Sequence, residues 1–122
     1  MQSSARRPLV RCRATVIFYG VDARLLAACA PIARGLRIAR AETSHLRGAC
    51  SAVDAFAGAM LVVSTALGDA ERDAIEAHAA GATAKVMWIG PNDDADELVR
   101  AIESFAMGQA AERAQRSLPV DR

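Results

Sequence analysis

Two hydroxyl side chains, Ser64 and Thr65, end the apolar run "MLVVST" and are the residues whose type and position suit nucleophilic chemistry. A serine or threonine nucleophile needs a general base within about 3 Å. Of the two histidines, His45 is predicted to start the second helix and His78 to end the third. We expect both on the amino-terminal or flanking side of the fold, away from the hydroxyls. The sequence therefore predicts no catalytic residues and a protein that is not an enzyme.

Cofactor and metal motifs are missing from the places where they would be expected. The turn after the first strand reads "GVDARL", whereas dinucleotide binding needs G-x-G-x-x-G. The chain contains neither a G-x-x-x-x-G-K-[ST] phosphate loop nor a G-x-S-x-G nucleophile elbow. Cys12, Cys29 and Cys50 are odd in number and widely spaced, which indicates neither a zinc site nor a disulfide framework. We expect no cofactor and no bound metal.

Four strands alternate with four helices in the predicted secondary structure. The strand predictions are the apolar stretches "ATVIFYG", "LRIARAE", "GAMLVVSTAL" and "KVMWIG". Helical spacing of apolar residues predicts four helices. Three are the segments "DARLLAACAPIARGL", "DAERDAIEAHAAG" and "DDADELVRAIESFAMG". The other helix, second in chain order, has Leu46, Cys50, Val53 and Ala57 on its buried side. Pro31 is expected to kink the first helix, because proline lacks the amide proton of a helical hydrogen bond.

The helix ends carry recognisable capping residues. The predicted amino-terminal caps are Asp22, Thr43 or Ser44, Asp69 and Asp94, the last with Glu97 in a capping box. Gly81 is predicted to be the residue just beyond the end of the third helix, a position that glycine commonly occupies. The acidic residues Asp93, Asp94, Asp96 and Glu97 are then explained as charge at a helix amino terminus.

This alternation predicts an α/β fold, a doubly wound parallel sheet with helices on both faces. Right-handed crossovers restrict the topology. If the first crossover moves outward and the later two move the other way, the strand order is 2-1-3-4, with the first and last helices on one face and the middle two on the other. A binding site in such a sheet lies where the strand order reverses, at the carboxyl ends of the strands. At that position the residues that end the first strand lie opposite those that end the third strand. They are Tyr19, Gly20, Val21 and Asp22 on one side and Ser64, Thr65 and Ala66 on the other.

The 122 residues predict one domain, and we divide the chain into a flexible basic arm at 1–13, the α/β domain at 14–108 and a helical extension or linker at 109–122. The net charge is only +1, but residues 1–50 hold nine arginines against two acids, and residues 51–112 hold eleven acids against three bases. This asymmetry favours charge-steered contact with another protein, or head-to-tail self-contact, over nucleic-acid binding. Scattered solvated charges remain the alternative.

The sequence also bears on the cellular compartment. Unpaired cysteines fit a reduced cytoplasm, and no apolar run reaches the roughly 18 residues that span a bilayer. The first 13 residues lack the apolar core of a secretory signal, although their arginines and serines also suit an organellar transit peptide. We expect a cytoplasmic protein without membrane contact.

Residues 14–106 resemble the receiver domains of bacterial response regulators. The run "MLVVSTALGDAERDAIEAHAAGATAKVMWIGPNDDADELVRAI" is similar to the second half of such a domain, and "ATVIFYGVDARLLAACAPIARGLRIARAET" is similar to the first half. The resemblance implies a pocket at Gly20, Val21, Asp22, Ser64, Thr65 and Gly90. Receivers end their first strand in adjacent acids that hold Mg²⁺, where this chain has Gly20 and Val21 and keeps only Asp22. Receivers have a lysine followed by a proline after a strand, and this chain has Gly90 followed by Pro91 at the matching position.

Two alignments with the receiver family stay open. If "MLVVST" is the fourth receiver strand, Thr65 matches the switch threonine and the third strand, its helix and the phosphoacceptor aspartate are missing. If it is the third strand, Ser64 stands at the acceptor position and the last strand and helix are missing. In either alignment no aspartate is available for phosphorylation. The resemblance therefore implies a degenerate receiver, or pseudo-receiver, that retains a scaffold for protein contacts.

The leading hypothesis is a non-catalytic signalling module that acts through protein–protein interaction, either as the regulatory domain of a transcription regulator or as a self-contained adaptor. The resemblance implies dimerisation through the last strand and flanking helices, and the predicted surface comprises Val86, Trp88, Ile89, Asp96 and Arg100. Packing of Trp88 beneath the last helix is the alternative for that residue. The alternative function is a ligand-binding domain that uses the crevice at the reversal of the strand order for a nucleotide second messenger, whose phosphates the arginine clusters "RRPLVR" and "RAQR" would bind.

Overall fold

The structure is a computed structural model that describes the backbone of residues 14–117 and the side chains of residues 14–112. The predicted arm at residues 1–13 lies outside the described residues, as does the end of the chain after Ser117. The elements are β1 (Thr15–Tyr19), α1 (Ala23–Gly35), β2 (Ala39–Thr43), α2 (Leu46–Ala55), β3 (Met60–Ser64), α3 (Asp69–Gly81), β4 (Lys85–Ile89) and α4 (Ala95–Ser117). The predicted extension continues α4 without a break as far as Ser117.

The four strands form one parallel sheet in the order β2-β1-β3-β4, which confirms the predicted topology. Across its middle, Ile17 pairs with Ala41 on one side and with Leu61 on the other, and Leu61 pairs with Val86. The order reverses between β1 and β3, so the carboxyl ends of these two strands meet with no other strand between them. Among residues 14–117, β2 and β4 are the outermost strands of the sheet.

Successive side chains of a strand point to opposite faces, and this alternation builds two separate core clusters. Val16 and Phe18 of β1 pack with Leu25 of α1 and with Leu98 and Ile102 of α4. On the other face, the buried residues of β1 and β3 pack against α2 and α3, and this cluster includes Ile17, Tyr19, Val53, Leu61 and Ile75. Both faces of the sheet are covered as predicted, and β3 is buried along its whole length.

Two of the predicted caps form at the expected residues. The Oδ1 atom of Asp22 accepts a hydrogen bond from the backbone N–H of Arg24 at 3.4 Å, just before α1 begins. The Oδ1 atom of Asp94 accepts from the backbone N–H of Asp96 at 3.0 Å, just before α4 begins. Each bond satisfies an amide that has no partner within its own helix.

Three other predictions about helix ends are wrong. The residue before α2 is His45, and Thr43 instead accepts the backbone N–H of His45 on its Oγ1 atom at 3.2 Å. Gly68 precedes α3, so Asp69 is the first residue of that helix and its carboxylate pairs with Arg72. Gly81 is the last residue of α3, and the left-handed conformation that favours glycine occurs two residues later, at Thr83 with φ of 57°. The local sequence supports several capping residues here, and the path of the chain into the sheet selects among them.

The helix α1 continues through Pro31 to Gly35. The second strand begins later than predicted, because Arg37 turns the chain with a φ of 58° before β2 starts at Ala39. Strand β2 is nevertheless a half-exposed edge, as its charged residues indicated.

Candidate functional site

The carboxyl ends of β1, β3 and β4 enclose a small crevice of about 170 Å³. Five of the six residues predicted for the pocket line it, namely Gly20, Val21, Asp22, Ser64 and Gly90. The sixth, Thr65, is exposed and does not line it. Its Oγ1 atom nevertheless lies beside Gly90, where an added Cβ would be 3.3 Å away. These residues therefore meet at one crevice, where the strand order reverses.

Ser64 has a structural partner in the crevice. Its side chain is buried, and its Oγ atom accepts a hydrogen bond from the backbone N–H of Ala66 at 3.0 Å. The next residue, Thr65, donates its backbone N–H to the carbonyl oxygen of Ile89 at 2.9 Å. The serine hydroxyl thus shapes the turn that leaves β3, and the turn is tied to the end of β4.

The two histidines lie at opposite ends of the strands, and the predicted position of His45 is wrong. His45 follows the carboxyl end of β2, where α2 starts. It therefore lies at the same end of the strands as the crevice. Strand β1 separates β2 from β3, a spacing of about 10 Å between the outer two backbones. His78 lies in the last turn of α3 as predicted, and its Nε2 atom is 2.8 Å from the Oδ1 atom of Asp54 on α2.

A cation that sequence reasoning missed closes one side of the crevice. The guanidinium group of Arg24 donates from Nη2 to the carbonyl oxygen of Pro91 at 2.8 Å, and its Nε lies 3.8 Å from the Oδ2 atom of Asp22. The backbone N–H of Gly90 donates to the Oδ2 atom of Asp93 at 2.7 Å. The only hint in the sequence is the closeness of Arg24 to the capping aspartate, since Pro91 is 67 positions away.

The side chains that line the crevice do not suit a hard cation. A divalent cation takes several oxygen ligands, and Asp22 is the one carboxylate among the residues that line the crevice. Within residues 14–112 no cluster of three or more histidine, cysteine or acidic side chains forms a potential metal site. The positive ends of α3 and α4 already face acids in their own first turns.

A second cavity of about 290 Å³ lies beside the first, between the carboxyl ends of β1 and β2. It shares Gly20 and Val21 with the crevice and adds the carboxylate of Glu42 and the side chains of Thr43 and Ser44. Its charged contribution is therefore acidic as well, which disfavours a phosphate-bearing ligand at this edge.

Tyr19 was predicted to face the crevice, but it points to the opposite side of the sheet, into the cluster with α2 and α3. Its side chain is fully buried, and its hydroxyl is a buried polar atom without a hydrogen-bond partner in the described part of the chain. Burial and the nearby carboxylate of Glu71 raise the pKa of Tyr19. The alternation of β1 decides this orientation, because Phe18 takes the other face.

The five residues predicted as an interaction surface do not form one surface. Ile89 is only 2% exposed and packs with Leu98 in the cluster below α4, so its prediction as a surface residue is wrong. Val86 and Trp88 are half-buried and pack with the cluster on the α2 and α3 face, so Trp88 does not pack beneath the last helix either. Asp96 and Arg100 are exposed on α4.

Sequence reasoning missed a groove that is larger than the crevice and the cavity beside it. It measures about 590 Å³ and lies between the amino-terminal parts of β3 and β4 and the carboxyl-terminal half of α4. We call it the β4 groove and define it by Met60, Val86 and Met87 from the sheet and by Ala101, Phe105 and Glu112 from α4, among other lining residues. Its signal in the sequence is the spacing of the α4 residues at intervals of three or four, which also fits ordinary core packing.

Comparisons with known proteins identify the fold and nothing more specific. No protein-family model matches the chain, and no curated protein matches it. Its backbone is similar to a de novo designed Rossmann-fold protein, with a TM-score of 0.60 and 15% identity over 77% of this chain and 97% of the design. A second design, a Rossmann 2x2 fold solved by NMR in solution, gives a TM-score of 0.58 and 15% identity over 78% of this chain and 88% of that one. These similarities show the fold alone.

The helices do not reach the length and hydrophobicity of a membrane span anywhere in the described residues.

Proposed function

We propose that the protein is a non-catalytic signalling or regulatory module of the pseudo-receiver type that works through protein–protein contact in the cytoplasm. The observation that carries this proposal is the state of the crevice at the sheet's reversal point. Its carboxylate, Asp22, caps α1 and lies beside Arg24, so the residues that line the crevice leave no acidic pair for a metal and no aspartate for a phosphoryl group.

The backbone at Gly20 supports the same reading of the site. Gly20 has a φ of 72°, a conformation that side chains rarely adopt, and it occupies a position where receivers carry an acid. The buried hydroxyl of Ser64 already accepts a backbone hydrogen bond from the turn that follows β3. Both features support a structural role for these residues in the turns that follow β1 and β3.

The strand order favours one of the two alignments with the receiver family. Receiver-like sheets have the order 2-1-3-4-5, in which the third strand lies directly beside the first. In this protein β3 lies directly beside β1. This supports the alignment in which Ser64 stands at the acceptor position and the fifth strand and its helix are missing, beyond the outer edge of β4.

The distribution of charge supports a protein partner. The arginines of the described residues lie mainly on α1, β2 and α2, and include Arg34, Arg40 and Arg47. The acids lie mainly on α3 and α4, at the other end of the strand order. Opposite charges are therefore separated across the sheet, which favours steered contact with a charged protein surface or a second copy.

The nucleotide alternative gains no comparable support. The crevice and the cavity beside it contribute the acids Asp22 and Glu42, and the arginine clusters proposed for phosphate binding lie outside the described side chains. A nucleotide panel in a thermal-shift assay tests this alternative directly. A nucleotide present at about 100 times a micromolar dissociation constant would raise the free energy of unfolding by nearly 3 kcal/mol.

The loss of phosphoryl chemistry is tested by incubating the protein with Mg²⁺ and acetyl phosphate and measuring its intact mass. We expect no added phosphoryl group. A variant that combines Val21→Asp with Ser64→Asp serves as the matched comparison, because it returns two carboxylates to the crevice, and binding of Mg²⁺ is followed through the fluorescence of Trp88. Labelling of the unaltered protein at an aspartate would contradict the proposal.

Self-association is tested by light scattering across a range of concentrations. We expect the mass of a dimer, with weaker association in Arg100→Glu, which reverses an exposed charge on α4. Arg47→Glu makes the same change on α2, on the arginine-rich side, and should also weaken association if two copies meet head to tail through their opposite charges. A monomer at every concentration would remove the dimer from the proposal and leave contact with a different protein.

A further inference from the structure

We propose that the outer edge of β2 is a contact surface for a second copy of the chain, with the two β2 strands paired antiparallel about a twofold axis at Ala41. The inference rests on the proposed function and deepens it, because it gives a surface and a partner to the proposed protein–protein contact. It involves β2 and not α4, so it is tested separately from the contact that Arg100→Glu tests.

The backbone of β2 is arranged to pair with a further strand. In the described part of the chain β2 pairs with β1 alone. The backbone N–H of Ala39 donates to the carbonyl oxygen of Ala14 at 2.9 Å, so Ala39 faces β1. Successive residues of a strand turn their backbone groups to alternate sides, and the N–H and C=O groups of Arg40 and Glu42 therefore point outward. An edge strand with such groups can add another strand.

The register of the sheet fixes the face on which each β2 side chain lies. Arg40 pairs with Val16. Glu42 pairs with Phe18, and both partners belong to the cluster beneath α1 and α4. Arg40 and Glu42 therefore lie on that face, with side chains 34% and 47% exposed and the Nη1 and Oε2 atoms 3.8 Å apart. Ala41 lies on the other face, partly buried against the cluster with α2 and α3. The edge thus presents a base and an acid together on one face.

One register of an antiparallel pair places opposite charges directly across from each other. With Ala41 opposite its own copy at the twofold axis, Arg40 of each copy lies opposite Glu42 of the other. The nearest registers that keep each side chain on its face are shifted by two residues, and they place Arg40 opposite Arg40 or Glu42 opposite Glu42. Opposite charges stabilise a cross-strand pair, whereas like charges directly opposite destabilise it. The charges of β2 therefore favour this register with a second copy.

The backbone geometry fits the same register. The outward-facing groups of Arg40 would exchange both backbone hydrogen bonds with Glu42 of the second copy, and the reverse pair would do the same. Between them, Ala41 and its copy would form a pair without hydrogen bonds, in which the Cα atoms approach to about 4.5 Å. The methyl side chain of alanine fits this close approach.

The remaining arginines on this side of the molecule lie outside the paired strand. Arg34 and Arg37 precede β2, and Arg47 follows it. In the antiparallel pair the two copies of Arg37 would be about 26 Å apart, at roughly 3.3 Å for each residue. Salt screens charges at that distance, since the Debye length is about 8 Å at physiological ionic strength, and screens partly buried pairs in contact much less. Association is therefore measured at physiological ionic strength.

Disulfide cross-linking of the full chain tests the position of the axis. Ala41→Cys brings two thiols to opposite positions, where the Cα separation suits a disulfide. Ala39→Cys is the matched control, because it lies on the same face of β2 while its two copies would be about 13 Å apart along the strands. We expect a covalent dimer to form at least about tenfold faster in Ala41→Cys. Peptide mass spectrometry should show residue 41 linked to residue 41.

Exchange of the charges tests the register. Arg40→Glu places acids opposite acids, and Glu42→Arg places bases opposite bases. Each change should weaken association at least about tenfold in sedimentation measurements. An equimolar mixture of the two variants should associate again, because the acids of one then face the bases of the other. Arg34→Glu makes the same charge change at an exposed residue of α1 and is the matched control, in which association should change much less.

Three outcomes would overturn the inference. One is the absence of a disulfide between two copies of residue 41, and another is equally fast cross-linking at residue 39. The third is a mixture of Arg40→Glu and Glu42→Arg that associates no more tightly than either variant alone. Each of these leaves the proposed function with contact through α4 or with a different protein. Conversely, cross-linking at residue 41 that is unchanged in Arg100→Glu keeps the β2 contact even where the contact through α4 fails.

Discussion

The guanidinium group of Arg24 donates a hydrogen bond to the carbonyl oxygen of Pro91 at 2.8 Å and thereby joins the start of α1 to the turn after β4. The same side chain lies 3.8 Å from the carboxylate of Asp22, the cap of α1. The two ends of the crevice are thus held by one arginine. This relationship holds the turn at Gly90 and Pro91 against the start of α1.

We expect Arg24→Ala to lower the free energy of unfolding by about 0.5–1 kcal/mol, because the hydrogen bond involves a charged donor but the side chain is largely exposed. Urea denaturation measures this difference. Arg47→Ala removes the same charge from α2 and should change the free energy by much less. Equal values for the two variants would mean that the bond to Pro91 contributes nothing to stability.

Gly20→Ala should destabilise the fold by about 1–3 kcal/mol, because the backbone at Gly20 is left-handed and an added Cβ would lie 3.1 Å from the Cδ2 atom of Leu67. Gly35→Ala is the matched control, since an added Cβ there has no neighbour within 4 Å. That change should be neutral or stabilising by up to about 1 kcal/mol. Thermal unfolding of the two variants compares them, and a stable Gly20→Ala protein would refute the prediction.

Ser64→Ala should cost about 1 kcal/mol of stability, because it removes the buried acceptor of the Ala66 amide. From the sequence alone the same change is expected to be near neutral. Val62→Ala in the same strand should cost about 1–4 kcal/mol through the cavity that it leaves. Thr65→Val is the control, since Thr65 is exposed, and denaturant unfolding ranks the three variants. A cost for Ser64→Ala no larger than that for Thr65→Val would contradict the structural role of the Ser64 hydroxyl.

Tyr19→Phe should stabilise the protein by about 1 kcal/mol near neutral pH, because it removes a buried hydroxyl that has no partner in the described part of the chain. Equilibrium unfolding in urea measures the change. Destabilisation would show that the hydroxyl makes a favourable hydrogen bond in solution, for which the carboxylate of Glu71 is the nearest candidate. Glu71→Gln would then reproduce part of the loss.

Stability should fall as the solution becomes alkaline. Burial raises the pKa values of Tyr19, Cys29 and Cys50 above their ordinary values of 10.0 for the phenol and 9.0 for the thiols. The folded protein therefore keeps protons that the unfolded chain releases, so the stabilisation is complete below pH 9.0 and declines above it. Urea unfolding from pH about 8 to about 11 should show this decline. Tyr19→Phe should remove the part that develops above pH 10.0, and an unchanged profile in that variant would contradict the assignment.

The local pattern of the sequence determined the elements and their order in the sheet. Apolar runs such as "MLVVS" and helical spacing around Leu98 and Ile102 report burial directly, because the periodicities of strands and helices are local properties of the chain. The strand order was predicted from right-handed crossovers together with one reversal of their direction, and with it the meeting of Gly20 and Ser64 at one crevice. These features need no knowledge of side-chain contacts between distant elements.

Other features depended on contacts that no local pattern encodes. The bond from Arg24 to Pro91, the burial of Ile89 and the direction of Tyr19 each depend on how elements far apart in sequence pack together. The β4 groove likewise arises from the placement of α4 over the amino-terminal parts of β3 and β4. Sequence alone thus determined which segments are buried, whereas the tertiary structure decided which side chains meet, because packing free energy belongs to pairs of surfaces and not to single segments.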